Sequence, residues 1–150
     1  MTAAFAPVAE LVPQRPPMLL VDEVLAAGDD AITCAAVVRP DNLFAVAGRV
    51  HASVALEYMA QAIAAFAGLR ARAEGQPPAL GMIAACRGLE LHAEHLAVGD
   101  ALQIVATRVF AGAMAEYRAA VTRRGEPLAE AVLHVVTAAP ATTTAPGSPA

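Results

Sequence analysis

Apolar and polar positions alternate in short runs along most of this chain, and one stretch breaks the alternation. From Ser53 to Leu69 the sequence reads Ser-Val-Ala-Leu-Glu-Tyr-Met-Ala-Gln-Ala-Ile-Ala-Ala-Phe-Ala-Gly-Leu, with Glu57 and Gln61 its only strongly polar side chains. A helix that is apolar on every side is buried on every side. At about 17 residues it is short for a membrane span, and hydrocarbon penalises a Glu and a Gln inside it. The pattern therefore predicts a central helix wrapped by protein. Ser53 is its expected N-cap, and it fades through Gly68 and Arg70-Ala-Arg72 to end near Ala73, ahead of Gly75 and Pro77-Pro78.

The flanking runs read as strands. Pro7 to Val12 makes a short helical turn closed by Pro13 and Pro16-Pro17, Met18 to Leu25 a strand, and Ala31 to Val38 a second one after the turn Gly28-Asp29-Asp30. An irregular loop runs from Pro40-Asp41-Asn42 to about Ala52. Beyond the helix come Leu80 to His92, Ala101 to Phe110, Met114 to Arg123 and Pro127 to Thr137, separated by Val98-Gly99-Asp100, Ala111-Gly112 and Arg124-Gly125-Glu126. Two strands, one buried helix and four more strands make an α+β pattern, a single helix against a curved antiparallel sheet. One domain over residues 1–138 is expected, followed by a Pro/Thr/Ala-rich tail, 139–150, too poor in apolar side chains to order itself.

Composition narrows the function. Hydrophobic residues make up 57% and charged ones 16%, an apolar balance for a lone subunit that points to a buried oligomer interface. A net charge of −4 with no basic run argues against general nucleic-acid binding. Cys34 and Cys86 are too few and too separated for a metal motif or a disulfide framework, and read as small buried hydrophobes. The first residues, Met-Thr-Ala-Ala-Phe-Ala-Pro, lack the basic and long apolar stretches of a secretion signal, so the cytoplasm is the expected compartment.

Three stretches carry a resemblance. Leu11-Val-Pro-Gln-Arg-Pro-Pro-Met-Leu-Leu-Val-Asp22 is similar to Leu-Pro-His-Arg-x-Pro-Phe-Leu-Leu-Val-Asp. Glu57-Tyr-Met-Ala-Gln61 is similar to a helical Glu-Ala-Met-Ala-Gln. Arg87-Gly-Leu-Glu-Leu-His-Ala-Glu-His-Leu-Ala-Val-Gly-Asp-Ala-Leu102 is similar to a strand ending in Pro-Val-x-Pro-Gly-Asp-x-Leu. These motifs, in this order from about Val8 to Thr137, resemble the beta-hydroxyacyl-[acyl-carrier-protein] dehydratases. The wider Leu-Glu-Tyr-Met-Ala-Gln-Ala-Ile-Ala looks closer to the dehydratases of aryl-polyene clusters than to those of housekeeping fatty-acid synthesis. The resemblance implies a hotdog fold, in which a sheet wraps one long central helix, and dehydration of 3-hydroxyacyl thioesters. It further implies an acyl carrier protein as partner, no cofactor beyond that carrier's phosphopantetheine, and a dimer in which a histidine of one subunit meets a glutamate of the other. Two departures stand out. The family's Gly-His-Phe-Pro-Gly loop is absent, and the histidine of the opening motif is Gln14 here.

Dehydration needs a base for the α-proton and an acid for the departing hydroxyl. Glu57 is the candidate for the hydroxyl, and His51, six residues earlier, for the base. Glu57 and Gln61 lie on one helix face with Ala60, Ala64 and Gly68, giving a polar patch beside small residues that leave room for an acyl chain. On a blander reading they are a hydrogen-bonded pair, with alanines that let strands approach. The amides of Ser53 and Val54 at the helix start are candidates for the thioester carbonyl, and Met59, with Ile63 and Phe66, for setting tunnel depth. Arg70, Arg72 and Arg87 are candidates for meeting an acidic carrier, or else solvated arginines. His92 and His95 lack the setting for a metal pair, so no metal is expected, and His134 reads as a sheet-face residue. A hotdog thioesterase and a non-catalytic subunit of a heterodimeric dehydratase are the alternatives.

Overall fold

The computed structural model describes residues 4–78 and 80–137, so the tail assigned to disorder lies outside the described residues. In chain order the elements are β1 (Glu23–Ala27), β2 (Ala31–Val37), β3 (Arg49–His51), α1 (Ala55–Ala73), β4 (Gly81–Leu91), β5 (His95–Ala97), β6 (Ala101–Phe110), β7 (Met114–Arg123) and β8 (Glu126–Thr137). Six strands form one antiparallel sheet in the order β1-β2-β6-β7-β8-β4, while β3 and β5 pair as a separate ribbon. The sheet wraps α1, which is the hotdog arrangement.

Alternation explains the wrapping. Cys34, Ile104 and Val121 stand opposite one another across β2, β6 and β7, and all three are buried. The next inward row is small: Ala106 faces Ala119, which faces Ala131, and all three are buried. Small side chains let the helix settle near the sheet, and α1 supplies the bulk through Met59, Ile63 and Phe66, each contributing roughly 1.5–3 kcal/mol by burial. By length and composition the segment Ala52–Ala73 could cross a bilayer, but 56% of its most apolar window is already buried inside the fold.

Besides adding the short strand β5, the structure differs from the sequence reading at four places. The first strand begins at Glu23, not Met18, because the backbone of Met18, Leu20 and Val21 bonds to the helix side chain Gln61 instead of a neighbouring strand. The helix is not capped by Ser53. A 3-10 turn, Ala52–Val54, precedes it, and the ring of His51 caps that turn by accepting the Ser53 amide. The loop before the helix contains β3, led in by a tight turn with Ala47 and Gly48 at φ 51° and 76°. Finally, Gly68 does not leave space for a ligand. A methyl group there would overlap the carbonyl oxygen of Leu11, whose backbone lies against the helix.

Candidate active site

Gln61 organises the centre of the molecule. It is fully buried, and its amide uses both donors and both acceptor positions. Its Oε1 accepts the amides of Leu20 at 2.8 Å and Val21 at 3.2 Å. Its Nε2 donates to the carbonyl of Met18 at 2.7 Å and to Oε1 of Glu57 at 2.9 Å. Expected to bind substrate, Gln61 instead has no hydrogen-bonding position left over. It ties the entry of the first strand to the helix and holds one oxygen of Glu57. The Glu57 carboxylate is half-buried, and among the described residues its second oxygen accepts no hydrogen bond.

A cleft of about 100 Å³ begins one turn further along α1. Ala60, Ile63, Ala64 and Ala67 form its floor, Gly81 to Ile83 of the edge strand one wall, and Gln14 part of its roof. Ala60 and Ala64 thus face open space, as the small-residue pattern suggested. Ile63 lines the cleft too, whereas Met59 and Phe66 are packed into the core away from it.

His51 lies on β3, exposed, with Nδ1 2.7 Å from Oγ of Ser53 and 3.2 Å from the Ser53 amide. The amide bond makes Nδ1 an acceptor and puts the ring proton on Nε2. The other tautomer donates from Nδ1 to the Ser53 hydroxyl and frees Nε2 as a base, at the expense of the cap. The Ser53 amide, proposed for the thioester carbonyl, is engaged by His51; Val54 is half-buried beside it. The ribbon also sets His95 opposite His51, ring centroids 5.9 Å apart and nearly perpendicular. Sequence spacing could not show that pairing, since 43 residues intervene between β3 and β5 and each is three residues long.

Beside Glu57, Tyr58 is completely buried and accepts a hydrogen bond from Asn42 at 3.3 Å. Burial, then the charge of Asp22, push its phenol up to about 12, against smaller opposite pulls from Arg39 and Asn42. Tyr58 is therefore neutral at any working pH. Asn42 also accepts the Phe44 amide, anchoring the loop that carries Leu43, Phe44 and Val46 into solvent.

The three arginines are scattered. Arg70 lies over the Phe66 ring at 5.6 Å and donates to the Asp29 carbonyl, and Arg72 pairs with Glu10 at 3.2 Å. Arg87, exposed on β4, has no ion pair among the described residues. His92 sits between Glu90 and Glu130, which face each other across β4 and β8, with ligand atoms within 4.8 Å. All three are exposed, and Nε2 of His92 lies 3.3 Å from Glu130 and 3.9 Å from Glu90. His134 does lie on a sheet face, bonded to Glu116 at 3.0 Å. Cys34 is buried as expected, but Cys86 is exposed on the edge strand.

A model of the ApeP-like family, described as ApeP dehydratase, matches residues 6–145. The chain belongs to the ApeP-like dehydratase family. Among solved structures, this ApeP-like chain is similar to the dehydratase heterocomplex ApeI:P from Xenorhabdus doucetiae, with a TM-score of 0.85 at 22% identity over 90% of this chain and 93% of the other. An uncharacterised protein from Pyrococcus horikoshii gives 0.64 at 15% identity over 91% and 97%. A hypothetical thioesterase with coenzyme A from Streptococcus pneumoniae gives 0.60 at 14% over 77% and 86%. No curated protein sequence matches the chain. At these identities the structural likenesses carry the hotdog fold, and the family match carries the dehydratase class.

Proposed function

We propose that this chain dehydrates 3-hydroxyacyl thioesters, carried on an acyl carrier protein, to trans-2-enoyl thioesters, in a biosynthesis of the fatty-acid or aryl-polyene kind. The observation that carries the reading is Glu57. It is a half-buried carboxylate on an otherwise apolar helix, held at one oxygen by Gln61 and open at the other, one turn from an apolar cleft. In the reaction the C2–H bond breaks and its electron pair forms the C2=C3 double bond. The C3–O bond breaks in turn, and the hydroxyl leaves as water on taking a proton. The base takes the C2 proton. Glu57, acting in its carboxylic-acid form, meets the hydroxyl at its open oxygen, gives up its proton to the leaving water and is left as the carboxylate, while the Gln61 amide keeps the carboxyl from turning away. His51 serves as base only in the tautomer that donates from Nδ1 to Ser53.

The second hotdog subunit is part of the proposal. Edge strand β4 presents eleven residues with an unpaired flank, and Met82, at 63% exposure, and Ile83 lie on it beside the cleft. Pairing two such edges would cover them and close the cleft. The heterocomplex found for the Xenorhabdus relative and the capping engagement of His51 favour a partner that supplies the base. Arg87, on the same edge and without an ion pair among the described residues, is the best placed of the three arginines to meet an acidic carrier.

The test is an assay of 3-hydroxyacyl carrier-protein and pantetheine thioesters, following the ultraviolet absorbance of the enoyl product, with and without a second hotdog subunit. Glu57→Gln should lower the rate about 100- to 10,000-fold. If His51→Ala is inactive as well, the base is in this chain. If it stays active, the base belongs to the partner. A wild type silent in both conditions refutes dehydration, and free thiol without enoyl product replaces it with a thioesterase.

A further inference from the structure

A second cluster of reactive side chains lies away from the Glu57 cleft. Glu90 of β4 and Glu130 of β8 stand directly opposite each other in the strand register, and both are exposed. Ala129 and Ala131, on either side of Glu130, point into the core, so the two carboxylates lie on the sheet face turned away from α1. Like charges directly opposite on neighbouring strands repel. His92, just past the end of β4, is fixed by its backbone amide to the Leu128 carbonyl at 2.8 Å. Its Nε2 lies 3.3 Å from Glu130 and 3.9 Å from Glu90. A neutral imidazole has a single N–H to offer there, which meets only one of the two carboxylates. Arg87 and Arg118 flank the pair, each opposite Val132 on its own side of β8, yet neither forms an ion pair among the described residues.

The three ligand atoms are spaced for a cation. All lie within 4.8 Å of one another. An ion bound tetrahedrally at about 2.0–2.2 Å holds its ligand atoms roughly 3.3–3.6 Å apart. Closing the cluster to that size asks exposed side chains to shift by less than about 1.5 Å. One imidazole nitrogen with two carboxylate oxygens suits an ion of the zinc class, whereas calcium and magnesium take oxygen ligands in greater number. Three protein ligands leave a fourth position to water. The depression of about 380 Å³ that Glu90 and Glu130 border, with Val105 and Ala120 also in its lining, has room for it. Sequence spacing set His92 beside His95, but the register sends His95 to the ribbon and brings Glu130, 38 residues away, to His92.

We infer that Glu90, His92 and Glu130 bind a divalent ion of the zinc class, and that the ion staples edge strand β4 to β8. The inference goes beyond the dehydratase reading and does not rest on it, since none of the three residues lines the cleft beside Glu57. The ion gives the opposed carboxylates a shared counter-charge. It takes the place of a proton on Nε2 of His92, and the neutral ring then carries its proton on Nδ1.

The test adds zinc chloride to the metal-free full chain near neutral pH, for wild type, His92→Ala and Glu90→Gln, and reads calorimetric binding together with urea unfolding. The wild type should bind one zinc per chain. At about 100 times the Kd, zinc should raise the ratio of folded to unfolded chain about a hundredfold. Each variant should weaken binding by at least about tenfold. Glu90→Gln should also reverse an order of stability. Without zinc it should equal or exceed the wild type, because the repulsion is gone; with zinc it should fall below it. No binding up to about 1 mM zinc, or binding that both variants leave intact, overturns the site. Binding that is lost in the variants but adds nothing to wild-type stability overturns the staple.

Discussion

Replacing Gln61 by leucine separates a structural role from a substrate-binding one. The volumes are similar, so little cavity forms, but three backbone groups lose their partner: the amides of Leu20 and Val21 and the carbonyl of Met18. Leu20 and Val21 are each 2% exposed, so water cannot replace the amide at those two sites. At about 1–3 kcal/mol for each buried unpaired group, with Met18 partly relieved by solvent, the loss comes to about 3–6 kcal/mol. That is a large share of the roughly 5–15 kcal/mol available to a domain. Gln61→Glu is the informative companion. It keeps an acceptor for the two amides but places a second carboxylate beside Glu57. Burial and that neighbour favour the protonated form of the new side chain in the folded state, so the folded protein binds more protons than the unfolded one and stability falls as pH rises. Urea unfolding at pH 5 and pH 8 is the assay. The leucine variant should lose the same amount at both, and the glutamate variant more at pH 8. A loss under about 1 kcal/mol for Gln61→Leu, with only KM affected, would refute the structural assignment.

Two further outcomes follow from packing and burial. Gly68→Ala should destabilise by about 2 kcal/mol in thermal unfolding, because the clash with Leu11 outweighs the roughly 1 kcal/mol that alanine contributes to a helix; a stabilised variant would show that the Leu11 segment yields freely. Burial raises the Cys34 thiol to about 12, so a thiol reagent at pH 8 should modify only the exposed Cys86 in the native chain and both cysteines after unfolding. Labelling of Cys86 should slow when β4 is covered, and a light-scattering mass fixed at the 15.3 kDa of one chain would rule out the pairing itself.

Strong periodicity made most of the fold legible. The strands β2, β6, β7 and β8 fall within a residue or so of their expected bounds, because each alternates between core and solvent along its length. Periodicity said nothing where hydrogen bonds, not burial, choose the structure. Met18 to Leu20 look like strand, but their ladder is the Gln61 amide, 41 residues from Leu20. Ser53 looks like a cap, but His51 performs that task. In the site, Glu57 stood out because a carboxylate on an apolar helix is conspicuous. Gln14 stood out only as a departure from the opening motif; that its side-chain oxygen has no hydrogen-bond partner is visible only when everything around it has been placed. His95 escaped for the same reason, because only the ribbon register brings it opposite His51.

The position of β8 has a consequence for how the protein is made. Among the described residues it is the last of the strands in sequence, yet it lies inside the sheet, between β7 and β4. During synthesis α1 is finished at Ala73 and β4 at Leu91, but neither is properly covered until residues 126–137 arrive. At about 5–20 residues per second, the apolar helix waits roughly 3–13 s beside an incomplete sheet. Throughout that interval β4 has no neighbour on either side, and its two flanks offer alternative sites to any strand at hand. A ribosome stalled before β8 would release a chain that exposes its most apolar element and cannot close over it. The final dozen residues of the sheet therefore govern whether the nascent chain folds or aggregates, although none of them belongs to the helix that bears Glu57.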